Sequence, residues 1–174
     1  MEQVILVDEK DIALGVMEKM EAHKKALLHR AFSVFIFNSR GELLLQQRSV
    51  NKYHSGGLWT NTCCSHPRPG EDTLQAATRR LKEEMGFDVP LGKAFTFIYK
   101  TEFVNGLSEH EFDHVFVGYY DGQITPNPQE AESYIFQSFS QVAQLLKEEP
   151  ARFTTWFHIA FPQIRNWWNH RNEI

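Results

Sequence analysis

The chain has 174 residues, enough for one domain with a sizeable core, and its 42% hydrophobic and 23% charged content is that of an ordinary globular protein. A formal charge of -4 supplies no general basic field for nucleic acid, so any anion site has to be local. No apolar run reaches the roughly 20 residues that span a bilayer, and residues 1–30 lack a secretory-signal pattern, which leaves the cytoplasm as the expected compartment.

In chain order, Val4-Ile5-Leu6-Val7 is a short apolar run ended by Asp8 and predicts a strand. A polar, basic stretch holding His23 and His29 follows. Ala31 to Phe37 is β-branched and aromatic, Asn38-Ser39-Arg40-Gly41 is turn chemistry, and Leu43-Leu44-Leu45 resumes the apolar run. A hairpin is the natural reading. Residues 51–70 contain Gly56, Gly57, Pro67, Pro69 and Gly70 and read as loop with at most a short strand. The only two cysteines, Cys63 and Cys64, fall inside it. Neighbouring cysteines are poorly placed to pair, so a disulfide framework is excluded and a thiol with a chemical task remains open.

From Glu71 the pattern turns helical: Leu74, Ala77, Leu81 and Met85 recur near a 3.6-residue period, and Gly86 marks the stop. Ala94–Lys100 and Phe112–Tyr120 are further strand candidates, joined through Asn105-Gly106. A helix is expected over Gln141–Glu149, and the aromatic-rich segment from Thr155 to His170 predicts a helix packed on the body. Strands with few, well-separated helices indicate α+β rather than an all-β domain or a doubly wound parallel sheet. One domain over 1–174 is expected, with a short N-terminal and an aromatic C-terminal extension.

On the helix after Glu71, Arg80 and Glu84 are four apart and share a face, while Glu83 and Glu84 diverge. Such a turn can offer a carboxylate to Mg²⁺ and a guanidinium to phosphate oxygens. By itself it reads more simply as a solvated face with surface ion pairs. The whole spacing, Ser65-x5-Glu71-x7-Arg79-Arg80-Leu81-Lys82-Glu83-Glu84-Met85-Gly86-Phe87, resembles the Nudix box. Two departures matter: Ser65 stands at the first glycine, and Arg80 where the hydrolases carry a glutamate. The resemblance implies a Nudix-type mixed β-sheet flanked by helices. The lost carboxylate implies a diphosphate holder that does not cleave diphosphates.

His23, His29 and His66 each lie near an expected loop or strand edge, and a strand through Glu109-His110-Glu111 sends both carboxylates to one face. Three imidazoles with these carboxylates suit a six-coordinate Mn²⁺ or Mg²⁺, and Zn²⁺ if its coordination expands beyond four. Singly, each has an ordinary explanation, since the chain has eight histidines and spacing cannot join the three regions. Cys64 alone reads as a small buried hydrophobe, and Trp156 as core.

Four blocks change this: Leu28-His29-Arg30-Ala31-Phe32-Ser33, Leu44-Leu45-Gln46-Gln47-Arg48-Ser49, Trp59-Thr60-Asn61-Thr62-Cys63-Cys64-Ser65-His66-Pro67 and Glu109-His110-Glu111. Together they resemble the type I isopentenyl diphosphate isomerases, from about the first strand to Trp156. The resemblance implies interconversion of isopentenyl and dimethylallyl diphosphate in isoprenoid biosynthesis, through a carbocation-like intermediate. It puts metal ligands on His23, His29, His66, Glu109 and Glu111, and the catalytic thiol on Cys64, two residues before His66. The opposing acid/base becomes Glu111, assisted by Tyr99. Mg²⁺ on the substrate diphosphate falls to Glu84, diphosphate contacts to Lys19, Arg48, Lys52 and Arg80, and closure over the hydrocarbon to Trp156. The expected partner is the small-molecule diphosphate, without nucleic acid or membrane, and the chain is expected as a monomer or homodimer. A Nudix hydrolase of a nucleotide or other diphosphate explains the acidic helix, but not His23, His29, Cys64 and Glu111 together. A non-catalytic diphosphate-binding module would need no tightly held ion.

Overall fold

The computed structural model describes residues 1–52, 54–103 and 106–171. In chain order its elements are β1 (Gln3–Val7), β2 (Ala13–Glu18), α1 (Lys19–Lys24), β3 (His29–Phe37), β4 (Leu43–Arg48), β5 (Trp59–Thr60), β6 (Cys63–Ser65), α2 (Thr73–Met85), β7 (Gly92–Glu102), β8 (Ser108–Tyr119), β9 (Ala131–Gln137), α3 (Phe139–Glu148) and α4 (Thr155–His170). A short 3-10 turn, Pro150–Arg152, precedes α4.

β3 is the axis of the sheet. Every residue from Ala31 to Phe37 is buried, as expected of a strand covered on both faces. One edge runs parallel to β8, with His29 opposite Glu111 and Phe37 opposite Tyr119. The other edge is shared in turn by β1 at Leu6, β6 at Cys63–Ser65 and β4 at Leu43, all antiparallel. β7 pairs with the outer edge of β8, and β9 with β4. The result is a mixed sheet in an α+β fold, as the sequence suggested.

The pleat sorts the core into two layers. Phe32, Val34 and Ile36 face α2, where Ala77, Leu81 and Met85 supply the expected apolar stripe. Phe35 and Phe37 face the opposite way, against Phe157, Phe161 and Ile164 of α4. Burying one such large side chain is worth about 1.5–3 kcal/mol. The same alternation on β8 puts Glu109, Glu111 and Asp113 on the α4 side, in line with Val115 and Val117. That strand face is apolar at one end and acidic at the other.

α2 is capped at both ends. The Asp72 carboxylate accepts from the backbone N–H groups of Leu74 and Gln75, and Gly86 closes the helix at φ 79°. A Cβ at Gly86 would meet the Thr125 carbonyl oxygen at 2.3 Å. Gly86→Ala is therefore expected to lower stability by about 1–3 kcal/mol from the left-handed backbone alone. The clash adds to that, and the effect reads as an earlier midpoint in urea unfolding.

Several elements depart from expectation. The stretch after Asp8 holds a strand and a helix, β2 and α1, with the Glu18 carboxylate capping α1 by accepting from Met20 and Glu21 N–H. β2 is mostly exposed, so its sequence carries no buried alternation. β9 was not foreseen for the same reason: only Ala131 in it is buried. The 51–70 loop contains two short strands rather than one at most, each held by longer strands beside it. α3 starts two residues early because Ser138 and Gln141 form a capping box. Asn105, named for the β7–β8 turn, lies outside the described residues; Gly106 sits in the left-handed region, at φ 78°.

Candidate active site

A cavity of about 600 Å³ opens where the acidic end of β8, the cysteine strand β6 and the start of α4 converge. Lys19, Arg48, Lys52, Cys64, His66, Arg80, Glu84, Tyr99, Glu109, Glu111 and Trp156 all line it. His23 and His29, the other two candidates, join it from behind through a shared cluster with His66 and Glu111. One donor atom from each of these four residues lies within 4.8 Å of the others.

The cluster has the chemistry of a cation site. His23 donates Nδ1–H to the Lys19 carbonyl at 2.7 Å, and His29 donates Nδ1–H to the Leu27 carbonyl at 2.8 Å. This fixes both tautomers and leaves each Nε2 as a buried lone pair without a hydrogen-bond partner. Burial, reinforced by His66 and His29, lowers the His23 imidazole to about 4, and burial lowers His66 as well. Neutral, orphaned nitrogens around a carboxylate fit a divalent metal. Glu111 Oε1 is 2.9 Å from His66 Nε2 and 3.6 Å from His29 Nε2. Burial works against ionisation of Glu111, but the hydrogen bond from His66 Nε2 to Oε1 prevails and holds its carboxyl well below the usual range.

Glu109 is not among the four clustered donors. Its Oε2 lies 3.1 Å from the Tyr99 hydroxyl, which also bonds Glu111 Oε2 at 2.7 Å. His54 Nε2 is 3.4 Å from Glu109 Oε1. Burial, with the charge of Glu111 adding to it, raises the Glu109 carboxyl well above the usual range. The register explains the trio: Tyr99 stands opposite Glu111 across the β7–β8 ladder.

Adjacent cysteines diverge because β6 is pleated. Cys63 is fully buried in the α2 layer, while Cys64 sits beside Ser33 of β3 and faces the cavity. The Cys64 thiol donates to Asn61 Oδ1 at 3.3 Å, and the Trp156 indole N–H donates to its sulfur at 3.2 Å. Burial pushes this thiol up to about 12. Trp156 is placed by the start of α4, where Thr154 N–H bonds the Trp59 carbonyl at 3.0 Å and Thr154 Oγ1 lies 3.1 Å from Thr60 Oγ1.

The cations gather at another part of the wall. Lys19 Nζ is 3.1 Å from Glu2, the Arg48 guanidinium lies 5.1 Å from the Trp156 ring centroid, and Lys52 pairs with Glu130. Arg80 meets Glu84 at 2.6 Å, Glu83 at 2.8 Å and Glu130 at 3.2 Å. Glu84 is further held by Gln46 Nε2 at 2.9 Å. The Nε atoms of Arg48 and Arg80 are buried without partners, donors left for an anion.

Sequence reasoning missed the residues that hold these groups. Asn61 supports the thiol and Gln46 the Glu84 carboxylate. Asp113 accepts from Ser33 Oγ at 2.6 Å, and burial raises it to about 8. Glu130 joins two cations. Asn61 and Gln46 stood inside the quoted blocks, but nothing in a lone amide announces a partner; Asp113 and Glu130 carried no local signal.

The NUDIX domain model matches residues 27–157. The isopentenyl-diphosphate Delta-isomerase of Pectobacterium atrosepticum is 55% identical over 166 residues, spanning 95% of this chain and 93% of the relative. That of Burkholderia multivorans is 47% identical over 174 residues, covering 98% and 99%. Among solved structures, DR0079 from Deinococcus radiodurans superposes with a TM-score of 0.70 at 18% identity, over 85% of this chain and 91% of that one. The MutT protein of Methanosarcina mazei gives 0.65 at 21%, over 80% and 94%. At these identities the two structures establish the fold alone. No described helix is long and apolar enough to cross a membrane.

Proposed function

The chain belongs to the isopentenyl-diphosphate Delta-isomerase family on the Nudix fold, and from that premise we propose that it interconverts isopentenyl and dimethylallyl diphosphate, with Cys64 and Glu111 carrying the protons. The observation behind this assignment is one cavity that holds a thiol, a carboxylate and a bank of cations.

The reaction adds a proton to the terminal methylene and removes one from the carbon beyond the tertiary centre. An unactivated alkene is a weak base, and its tertiary cation is quenched by water, so the site must be closed and dry. Cys64 faces the alkene as one proton carrier and Glu111 as the other, and Tyr99 holds Glu111 by its hydroxyl. Trp156 closes the hydrocarbon end. Its N–H aims the Cys64 sulfur, and its ring offers a substrate cation about 0.5–2 kcal/mol. Lys19, Arg48, Lys52 and Arg80 grip the diphosphate, and binding at this non-reacting end positions the alkene.

His23, His29, His66 and Glu111, with Glu109 beside them, would hold Mn²⁺ or Mg²⁺, or Zn²⁺ in an expanded shell. A cation there steadies the carboxylate charge and sets its proton affinity. Glu84 would meet Mg²⁺ carried by the diphosphate. Trp156 comes from the aromatic C-terminal helix, which supports reading 1–174 as one catalytic unit, acting as a monomer or homodimer in the cytoplasm.

The test is to incubate the protein with isopentenyl diphosphate, Mg²⁺ and Mn²⁺ in D₂O and follow the products by NMR. Dimethylallyl diphosphate with deuterium in its new methyl group is expected. Release of phosphate or isopentenyl monophosphate would instead mark a hydrolase.

A further inference from the structure

Glu130 is a carboxylate in the cavity to which the proton chemistry assigns no task. It closes the turn from Asn127 that leads into β9, and its carbonyl accepts from Ser49 N–H at 2.9 Å, at the end of β4. Ser49 in turn anchors the Lys52 turn, where Lys52 N–H bonds the Ser49 carbonyl at 3.2 Å. The Glu130 side chain meets cations from two separate elements. Oε2 pairs with Lys52 from the β4–β5 connection, and Oε1 lies 3.2 Å from Arg80 Nη2 on α2.

We propose that Glu130 is a positioning residue for the diphosphate, its two oxygens setting Lys52 and Arg80 side by side as one grip. This rests on the reading in which Lys52 and Arg80 contact the diphosphate. Three arguments support it. Lysine is a flexible stem, and ordering it on binding weakens affinity, a cost removed if a carboxylate orders it beforehand. Two like charges converging on one anion repel, and a carboxylate between them offsets that repulsion. Glu130 also leaves the grip unsaturated, because Arg80 Nε remains buried without a partner. Although burial opposes ionisation of Glu130, Lys52 and Arg80 hold its carboxyl below the usual range.

The opposite arrangement, in which Glu130 merely occupies the cations until substrate displaces it, predicts the opposite sign. The experiment titrates inorganic diphosphate with Mg²⁺ into the metal-loaded full chain by calorimetry, for wild type, Glu130→Gln and Glu130→Asp. KM and kcat for isopentenyl diphosphate are measured alongside. Loss of one charge-assisted contact should weaken diphosphate binding in Glu130→Gln about tenfold. KM should rise in step, kcat should fall by less, and Glu130→Asp should recover part of the binding. Equal or tighter diphosphate binding in a Glu130→Gln variant with a wild-type unfolding midpoint would overturn the proposal. If Glu130→Gln fails to fold, the aspartate variant decides: weaker binding supports the proposal, and unchanged or tighter binding overturns it. A wild type that binds no diphosphate removes the underlying reading as well, which separates the two failures.

Discussion

Cys64→Ala is expected to lower kcat about 10²–10⁴-fold, the usual worth of a positioned proton carrier, while Cys63→Ala keeps most of its activity. The two residues differ by one step along a strand and therefore by a whole face of the sheet. Cys63 is fully buried among Leu81, Met85 and the other side chains of the α2 layer. Its thiol is pushed well up by burial, with the Glu84 charge adding to it, so its loss costs packing, about 1 kcal/mol for a typical core substitution. The Cys64 sulfur is held between Asn61 and the Trp156 indole, at the cavity wall. Alanine at position 64 removes the only thiol that faces the cavity and leaves both holders without their partner. The check is kcat for isopentenyl diphosphate, with thermal unfolding to show that both variants fold. Equal loss of activity in two folded variants would remove the thiol from Cys64.

That contrast also shows what could be read from the sequence. The pleat rule separates the two cysteines but does not say which face is wet; the resemblance chose Cys64, and the packing of α2 supplies the reason. Likewise the hairpin from Phe37 to Leu43, the α2 stripe and the long aromatic helix were legible because burial imposes a period on each. β2 and β9 were not, because strands with little buried surface carry little period. The site draws on α1, β3, β4, β6, α2, β7, β8 and α4, and no local spacing encodes their meeting. The family blocks include only Arg48, Cys64 and Glu111 of the groups proposed to meet substrate. They do not name Asp113 or Glu130, whose roles exist only through the partners the fold gives them.

Glu111→Gln is the second large effect. It is expected to lower kcat about 10²–10⁴-fold, again the worth of a proton carrier, and to weaken Mn²⁺ binding measured by calorimetry. Glutamine keeps the volume and can still meet Tyr99 and His66, so a folded variant is expected and the loss reports chemistry. Glu111 is the only carboxylate in the four-residue donor cluster, and it is also the one that the Tyr99 hydroxyl approaches most closely. One substitution should therefore move both readouts. Tyr99→Phe separates them. It removes one hydrogen bond to a charged group, worth about 1.5–3 kcal/mol, which corresponds to roughly 10–150-fold in rate. It takes no atom from the donor cluster, so Mn²⁺ binding should stay close to wild type. If Glu111→Gln retained full turnover with a normal metal isotherm, the second proton carrier would have to be sought elsewhere in the cavity. If instead Tyr99→Phe lost as much Mn²⁺ affinity as Glu111→Gln, the hydroxyl would be organising the cation site itself. The order expected from the geometry is Glu111→Gln well below Tyr99→Phe in rate, and Glu111→Gln alone reduced in metal affinity.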